Sequence, residues 1–228
     1  TTVRQAEDGD APAWDAYVEA SPSSTFFHLY GWRRVIEAAY GYKGVYLMAM
    51  RGARLVGVLP LIDVVSPLFG RNLISTAFTV GGGVIAADAE AAALLAETAI
   101  EEGRRRRVGY VELRSQTAAL ENWRIKNDVY AGFTTDIRAT EEEALLAIPK
   151  RRRAEVRKSL DAVATGELSY EFGAAAEDFY ALYARAMRDH GTPIFSRLFL
   201  ARLLDEFASK TEILLVSAEG DPLLALLA

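Results

Sequence analysis

The sequence has no cysteine, which removes disulfides, thiolate metal sites and a cysteine nucleophile, and suits a reducing cytosol. It has only two histidines, His28 and His190. They lie far apart and neither has a second histidine at ligand spacing, so no metal site is expected. No Gly-x-Ser-x-Gly elbow occurs, which leaves a serine hydrolase unsupported. There is no run of about 18 apolar residues, and Thr1 opens a polar segment without the charged-then-apolar layout of a signal peptide. A soluble, cytoplasmic protein without a transmembrane segment is expected. Positive charge is not in excess either, since 26 basic residues face 31 acidic ones for a net charge of -5. That excludes a whole surface built for nucleic acid; no DNA partner is expected, and any anion site must be local.

What is present is apolar material in regular patterns. At 228 residues and 51% hydrophobic, the chain can bury one large core or two smaller ones. A short strand is expected at 3–5 and a helix at 11–20, entered through Pro12 in its first turn. A second helix is expected at 29–40, where Trp32, Val35, Ile36 and Ala39 recur at helical spacing before Gly41. Apolar runs at 45–50 and 55–65 flank a glycine-containing connection and predict a strand pair. Further strands are expected at 72–75, 110–114 and 133–137, with an alanine-rich helix from Asp88 to Gly103.

After Thr140 the pattern restarts. Thr140 and Glu143 have the spacing of a capping box, and Pro149 opens a helix running to about 164, before Gly166. A strand at 168–172, helices at 176–190 and 197–208, and strands at 213–217 and 223–228 follow. This repeats the strand, helix, helix, strand, strand order of the first half. The expected domains are therefore 1–139 and 140–228. The missing initiator methionine and the apolar final run, Leu-Leu-Ala-Leu-Leu-Ala, are expected to mark a piece of a longer protein.

Several groups carry potential chemistry. Lys150, Arg151, Arg152, Arg153, Arg157 and Lys158 crowd a helix start, where cations oppose the positive end of the helix dipole. At about 100° per residue, Arg152 and Arg153 fall within roughly 60° of Val156, beside the apolar line Val156, Leu160 and Val163. They are expected to point toward protein. Either this run is a solvated face, or free backbone donors and guanidinium groups together bind phosphate.

The run Arg104, Arg105, Arg106 and Arg107 sits at a helix C-terminus, where cations suit the dipole and a structural role suffices. Gly81-Gly82-Gly83 lacks the lysine and hydroxyl residue of a nucleotide loop. The next helix begins with Asp88 and Glu90, which would repel phosphate, so a turn with close backbone approach is expected. His28, at a helix entrance, is either a general base or a hydrogen-bonded cap. His190 stands at a helix end, where a cationic imidazole also suits the dipole. Glu112 and Arg114 share one face of a strand, and either face a cleft or pair with neighbours.

The order of elements is how the acetyltransferase (GNAT) fold begins, and two such halves in tandem describe the Fem peptidyltransferases. Ser24-Thr25-Phe26-Phe27-His28, Gly31-Trp32, Gly57-Val58-Leu59-Pro60-Leu61, Val111-Glu112-Leu113-Arg114, Arg153-x-x-x-Arg157-Lys158 and Gly191-Thr192-Pro193, in that order, resemble FemAB-related proteins associated with exopolysaccharide and PEP-CTERM sorting systems. The resemblance implies an α/β protein with mixed sheets and tandem GNAT-like halves, the second incomplete here because members of that family continue further.

It also implies transfer of an acyl or aminoacyl group to an amine or hydroxyl of a cell-envelope or exopolysaccharide precursor. The co-substrate would be acyl-CoA or aminoacyl-tRNA, and both carry phosphates. An acyl-CoA-dependent N-acetyltransferase is one alternative. A non-catalytic module that binds a phosphorylated glycan or lipid-linked precursor is another. Residues 1–139 would be the acceptor platform. Candidate substrate contacts are Lys150, Arg152, Arg153, Arg157 and Arg114; His28, His190 and Glu112 are the catalytic candidates.

Overall fold

The computed structural model describes residues 1–115, 120, 123–126, 132–133 and 135–228. The chain divides into two units: Thr1–Ile125 with Ala201–Phe207, and Lys126–Leu200 with Ala208–Ala228.

In the first unit the elements are β1 (Thr2–Gln5), α1 (Ala11–Glu19), a single 3₁₀ turn (Phe26–His28), α2 (Gly31–Tyr40), β2 (Lys43–Arg51), β3 (Arg54–Ser66), β4 (Gly70–Ser75), β5 (Ile85–Ala86), α3 (Ala89–Arg106) and β6 (Val111–Glu112). The strand order is β1-β2-β3-β4-β6, with β5 also on β3. Every pairing is antiparallel except β4 with β6, which is parallel.

β2 and β3 read as near-continuous apolar runs because both of their faces are covered. On one face, Ala91, Leu95 and Ala99 of α3 recur every fourth residue and bury against Val45, Leu47, Leu59, Leu61 and Leu73. The small alanines let the helix approach closely. Tyr46 alternates to the other face of β2, where Trp14 of α1 stacks on it at 4.9 Å and Tyr30 meets it edge-on at 5.5 Å. Each such large side chain, fully buried, contributes about 1.5–3 kcal/mol. Helix α2 stops at Gly41, whose φ of 72° is the left-handed conformation that satisfies the last carbonyls.

The second unit holds α4 (Glu141–Ala147), α5 (Lys150–Thr165), β7 (Leu168–Phe172), α6 (Ala176–Asp189), the start of α7 (Arg197–Glu206), β8 (Ile213–Ala218) and β9 (Asp221–Leu227). Its sheet, in the order β7-β8-β9, is antiparallel among the described residues. The capping spacing at Thr140 is realised, since its side chain accepts the Glu143 N–H at 3.2 Å. The element order of the first unit, β1-α1-α2-β2-β3, recurs as β7-α6-α7-β8-β9.

Three local expectations change. No strand forms at 133–137 among the described residues, while Thr134 lies outside them. Phe133 and Ile137 are 94% and 97% exposed, because alternation supplies an apolar face but not a partner with free backbone groups. The strand expected at 110–114 shrinks to Val111–Glu112. Helix α5 buries no residue, and Leu160 is 56% exposed. Its apolar line therefore does not draw Arg152 toward protein.

Candidate functional site

β4 and β6 pair through only Leu73–Val111 and Ile74–Glu112. Beyond them the strands part. The Arg114 N–H turns to the Ser75 hydroxyl at 2.8 Å instead of a backbone carbonyl, and the chain after Ser75 enters the loop 76–84. That loop is held in unusual backbone geometry, with φ of 40° at Thr76, 71° at Phe78, 71° at Gly81 and 124° at Gly83.

Two of its glycines are required by space as well. A Cβ on Gly82 would lie 1.9 Å from Thr76 Oγ1, and one on Gly83 would lie 2.9 Å from the Ser115 Cβ. The expectation of a close-approach turn at Gly81-Gly82-Gly83 therefore holds. The phosphate-loop reading gains nothing at the following helix. Asp88 caps α3 by accepting from Ala91 N at 3.0 Å, and Arg51 bonds both Asp88 and Glu90 at 2.9 and 3.1 Å. The N-terminus of α3 is thus satisfied from within.

Where the strands part lies a cavity of about 460 Å³, lined by Ser23, Ser24, His28, Gly81, Gly82 and Ser115 among others. His28 is 2% exposed. Its Nδ1 accepts the Thr25 N–H at 3.1 Å, which assigns the ring proton to Nε2, and the ring also bonds the Gly83 backbone. Burial pushes its pKa below the ordinary value near 6.5, against the opposing pull of the Gly83 and Thr25 bonds. Thr25 completes the link, donating through Oγ1 to the Gly81 carbonyl at 2.9 Å. His28 is therefore a neutral cap that ties the 3₁₀ turn to the glycine loop. With both nitrogens engaged it holds the cavity wall.

No described lining residue of this cavity carries a formal charge when His28 is neutral. Hydroxyls and glycine backbone suit an uncharged hydrogen-bonding group such as an amide, alcohol or sugar. Glu112 and Arg114 lie nearby and pair with each other at 2.7 Å, while Arg114 Nη1 donates to the Thr79 carbonyl at 2.8 Å. Of the two alternatives for this pair, neighbour pairing is realised. Arg114 braces the loop.

In the second unit, the basic residues of α5 divide by role. Arg153 Nε donates to the Ile148 carbonyl and its Nη2 to the Leu146 carbonyl, each at 2.7 Å. Arg152 pairs with Glu155 at 2.9 Å and is 60% exposed. Lys150, Arg151, Arg157 and Lys158 are exposed. His190 is exposed just past α6, where its backbone N–H closes the helix on Ala186 at 3.0 Å. A second hollow of about 540 Å³ is lined by Arg185, Arg188, Thr192, Pro193 and Ile194 among others, without His190.

The sequence reading missed Ser23, Ser115, Arg185 and Arg188. The two arginines had a signal in their i, i+3 spacing on α6. Ser23 and Ser115 had none, because 92 positions of chain separate them. Among the described residues, no group of three or more His, Asp or Glu is arranged to hold a metal, and no helix is long and apolar enough to cross a membrane.

No family model matches the sequence, and neither does any curated protein. Among solved structures the chain is similar to FemX, with a TM-score of 0.67 at 17% identity over 95% of this chain and 57% of that one. The chain thus spans a little over half the length of that protein. A probable acetyltransferase matches with a TM-score of 0.37 at 16% identity, over 61% of this chain and 100% of the other. The likeness to FemX defines the class by fold: a GNAT-like α/β protein, as the element order predicts.

Proposed function

We propose that the chain is the acceptor-holding part of an acyl- or aminoacyltransferase of the FemAB type. It would present an amine or hydroxyl of a cell-envelope or exopolysaccharide precursor for transfer. The observation that supports this is an uncharged, hydroxyl-lined cavity where β4 and β6 part, in a fold similar to that of FemX.

Such a reaction asks little of the protein. The donor, acyl-CoA or aminoacyl-tRNA, is already activated, so the acceptor must be held near the carbonyl, lose its proton, and meet donors aimed at the oxyanion. In this reading Ser23, Ser24 and Ser115 orient the acceptor while His28 and Arg114 fix the wall. The proton is taken by a base outside the cavity. Phosphates of the donor, or of a lipid-linked precursor, would be met by Lys150 and Arg157. Seven residues apart, these lie within about 20° of each other on α5. Arg152 and Arg153 would then serve α5 itself.

A second reading, a non-catalytic module that binds a phosphorylated glycan or lipid-linked precursor, draws on the absence of a free base among the cavity's described lining residues. One experiment separates the two. The protein is mixed with labelled acyl-CoA or charged tRNA and a nucleotide-sugar or lipid-linked precursor, and both binding and transfer are measured. Transfer that falls in Ser115→Val supports the enzyme, and precursor binding without transfer supports the module. Neither binding nor transfer overturns both.

A further inference from the structure

The β3–β4 hairpin outruns the sheet that carries it. β2 begins its pairing with β3 at Lys43–Asp63, and β6 meets β4 at Leu73 and Ile74. The pairs Val64–Asn72, Val65–Arg71 and Ser66–Gly70 lie beyond β2; on the other side the Gly109 N–H, just ahead of β6, still donates to the Arg71 carbonyl at 2.7 Å, so Ser66–Gly70 lies beyond both neighbours. The end of the hairpin is a short projecting ribbon that closes through Pro67, Leu68 and Phe69. Leu68 is 86% exposed, Phe69 80% and Val65 53%.

The tip is built to hold these side chains out. Ser66 Oγ accepts the N–H groups of Leu68 and Phe69 at 3.3 and 3.2 Å. The amide of Asn72, itself 6% exposed, donates to the Phe69 carbonyl at 3.2 Å, and Gly70 at φ 73° closes the turn. A projecting apolar ribbon invites aggregation, so a turn that fixes this display calls for an occupant.

Charge at the base of the ribbon identifies the occupant. Asp63, 3% exposed, binds Arg71 through two contacts of 2.7 and 2.5 Å and Arg106 through one of 3.0 Å. Arg71 Nη1 also donates to the Arg106 carbonyl at 3.1 Å, which brings the end of α3 beside the ribbon. That end carries Arg104, Arg105 and Arg107, all exposed. Arg105 pairs with Glu102, whereas Arg104 and Arg107 have no ion pair among the described residues. Exposed Lys43 adds another cation. The acids are Asp63, buried under its two arginines, Glu102, which Arg105 and Arg106 share, and exposed Glu101. The edge is positive behind an apolar tip.

We propose that this edge docks on an anionic lipid bilayer. Leu68 and Phe69 enter the boundary between headgroups and acyl chains, and Arg104, Arg105 and Arg107 face the lipid phosphates. Stable attachment takes two signals, apolar insertion and basic charge, and both are present. A protein partner fits less well. The Leu68 and Phe69 N–H groups and the Phe69 carbonyl are already bonded within the turn, so the tip has little backbone left to pair with a protein strand. The proposal goes beyond the transfer reading and does not depend on it.

The test is flotation of the protein with vesicles of phosphatidylcholine alone, and of equal parts phosphatidylcholine and phosphatidylglycerol, at low and high salt. Binding to the anionic vesicles that weakens with salt is expected. Leu68→Ser with Phe69→Ser should lower it by at least about tenfold. Arg104→Gln and Arg107→Gln should each lower it about fivefold. All four side chains are exposed, so the variants should melt with the parent. Phe69→Trp should shift its emission to the blue on binding. Absence of vesicle binding, equal binding to neutral vesicles, or full binding by the Leu68/Phe69 double variant would overturn the proposal. The first outcome would leave the tip to an acidic protein partner.

Discussion

Arg153 reaches back across Pro149 and donates to the Ile148 carbonyl at 2.7 Å, with a second donation to Leu146 at the same distance. The side chain that begins one helix thus closes the previous one. Helix α4 ends without a glycine, and its last carbonyls would otherwise depend on water. Arg153→Ala is expected to destabilise the joint of α4 and α5 by about 1–2 kcal/mol, with Lys at this position recovering about half because an ammonium lacks the planar fork. Urea melts of the three proteins check this. Equal stability of Ala and Arg would sink it.

Asp63 offers a test in acid. Burial raises its pKa, but the hydrogen bonds from Arg71 and Arg106 outweigh burial and hold it below the ordinary value near 3.8. Its contribution is therefore present above about 3.8 and lost as pH falls through the lower folded value. Asp63→Asn should cost about 2–3 kcal/mol at neutral pH, less than for a sealed pair because Arg71 is 41% exposed. The variant should also have a shallower acid limb, read from thermal melts across the acid range.

His28 acts in the next pH window. Its folded pKa lies below 6.5, so the unfolded chain binds the proton first and stability declines as pH drops below about 6.5. His28→Asn keeps an acceptor for the Thr25 N–H and should flatten this decline, while losing some packing. Melts of both proteins at several pH values between about 5 and 8 decide it. An unchanged slope in the variant would assign the decline to another group.

Thr76 and Gly82 should be energetically coupled. The Thr76 hydroxyl is buried without a hydrogen-bond partner among the described residues, and its φ of 40° is strained for a β-branched residue. Gly82→Ala should cost about 2 kcal/mol by overpacking. Thr76→Gly removes both the strain and the clash, so the double variant should recover most of that loss. A double-mutant cycle in urea measures the coupling, and additivity within about 0.5 kcal/mol would refute it.

The sequence by itself determined the elements that depend on local physics. Gly41 and Gly166 end their helices, Thr140 caps α4, and a strand forms at 168–172 as expected. Periodicity and capping act within a few residues, so a single chain segment records them. The recurring order of strands and helices followed, and with it the GNAT-like fold.

Tertiary structure decided which polar groups meet. Ser23, His28, Gly82 and Ser115 share one cavity only because β4 and β6 part after two residue pairs. Arg153 looked like a misplaced cation because its carbonyl partners cannot be read from charge pattern; the turn at Pro149 supplies them. Asp63, inside an apolar strand, is tolerable only because Arg71 and Arg106 arrive from β4 and α3. Hydrogen bonds between residues distant in the chain depend on backbone placement to within a few tenths of an ångström. Hydrophobic pattern specifies which faces are buried but not that placement, so the elements were legible and their meeting points were not.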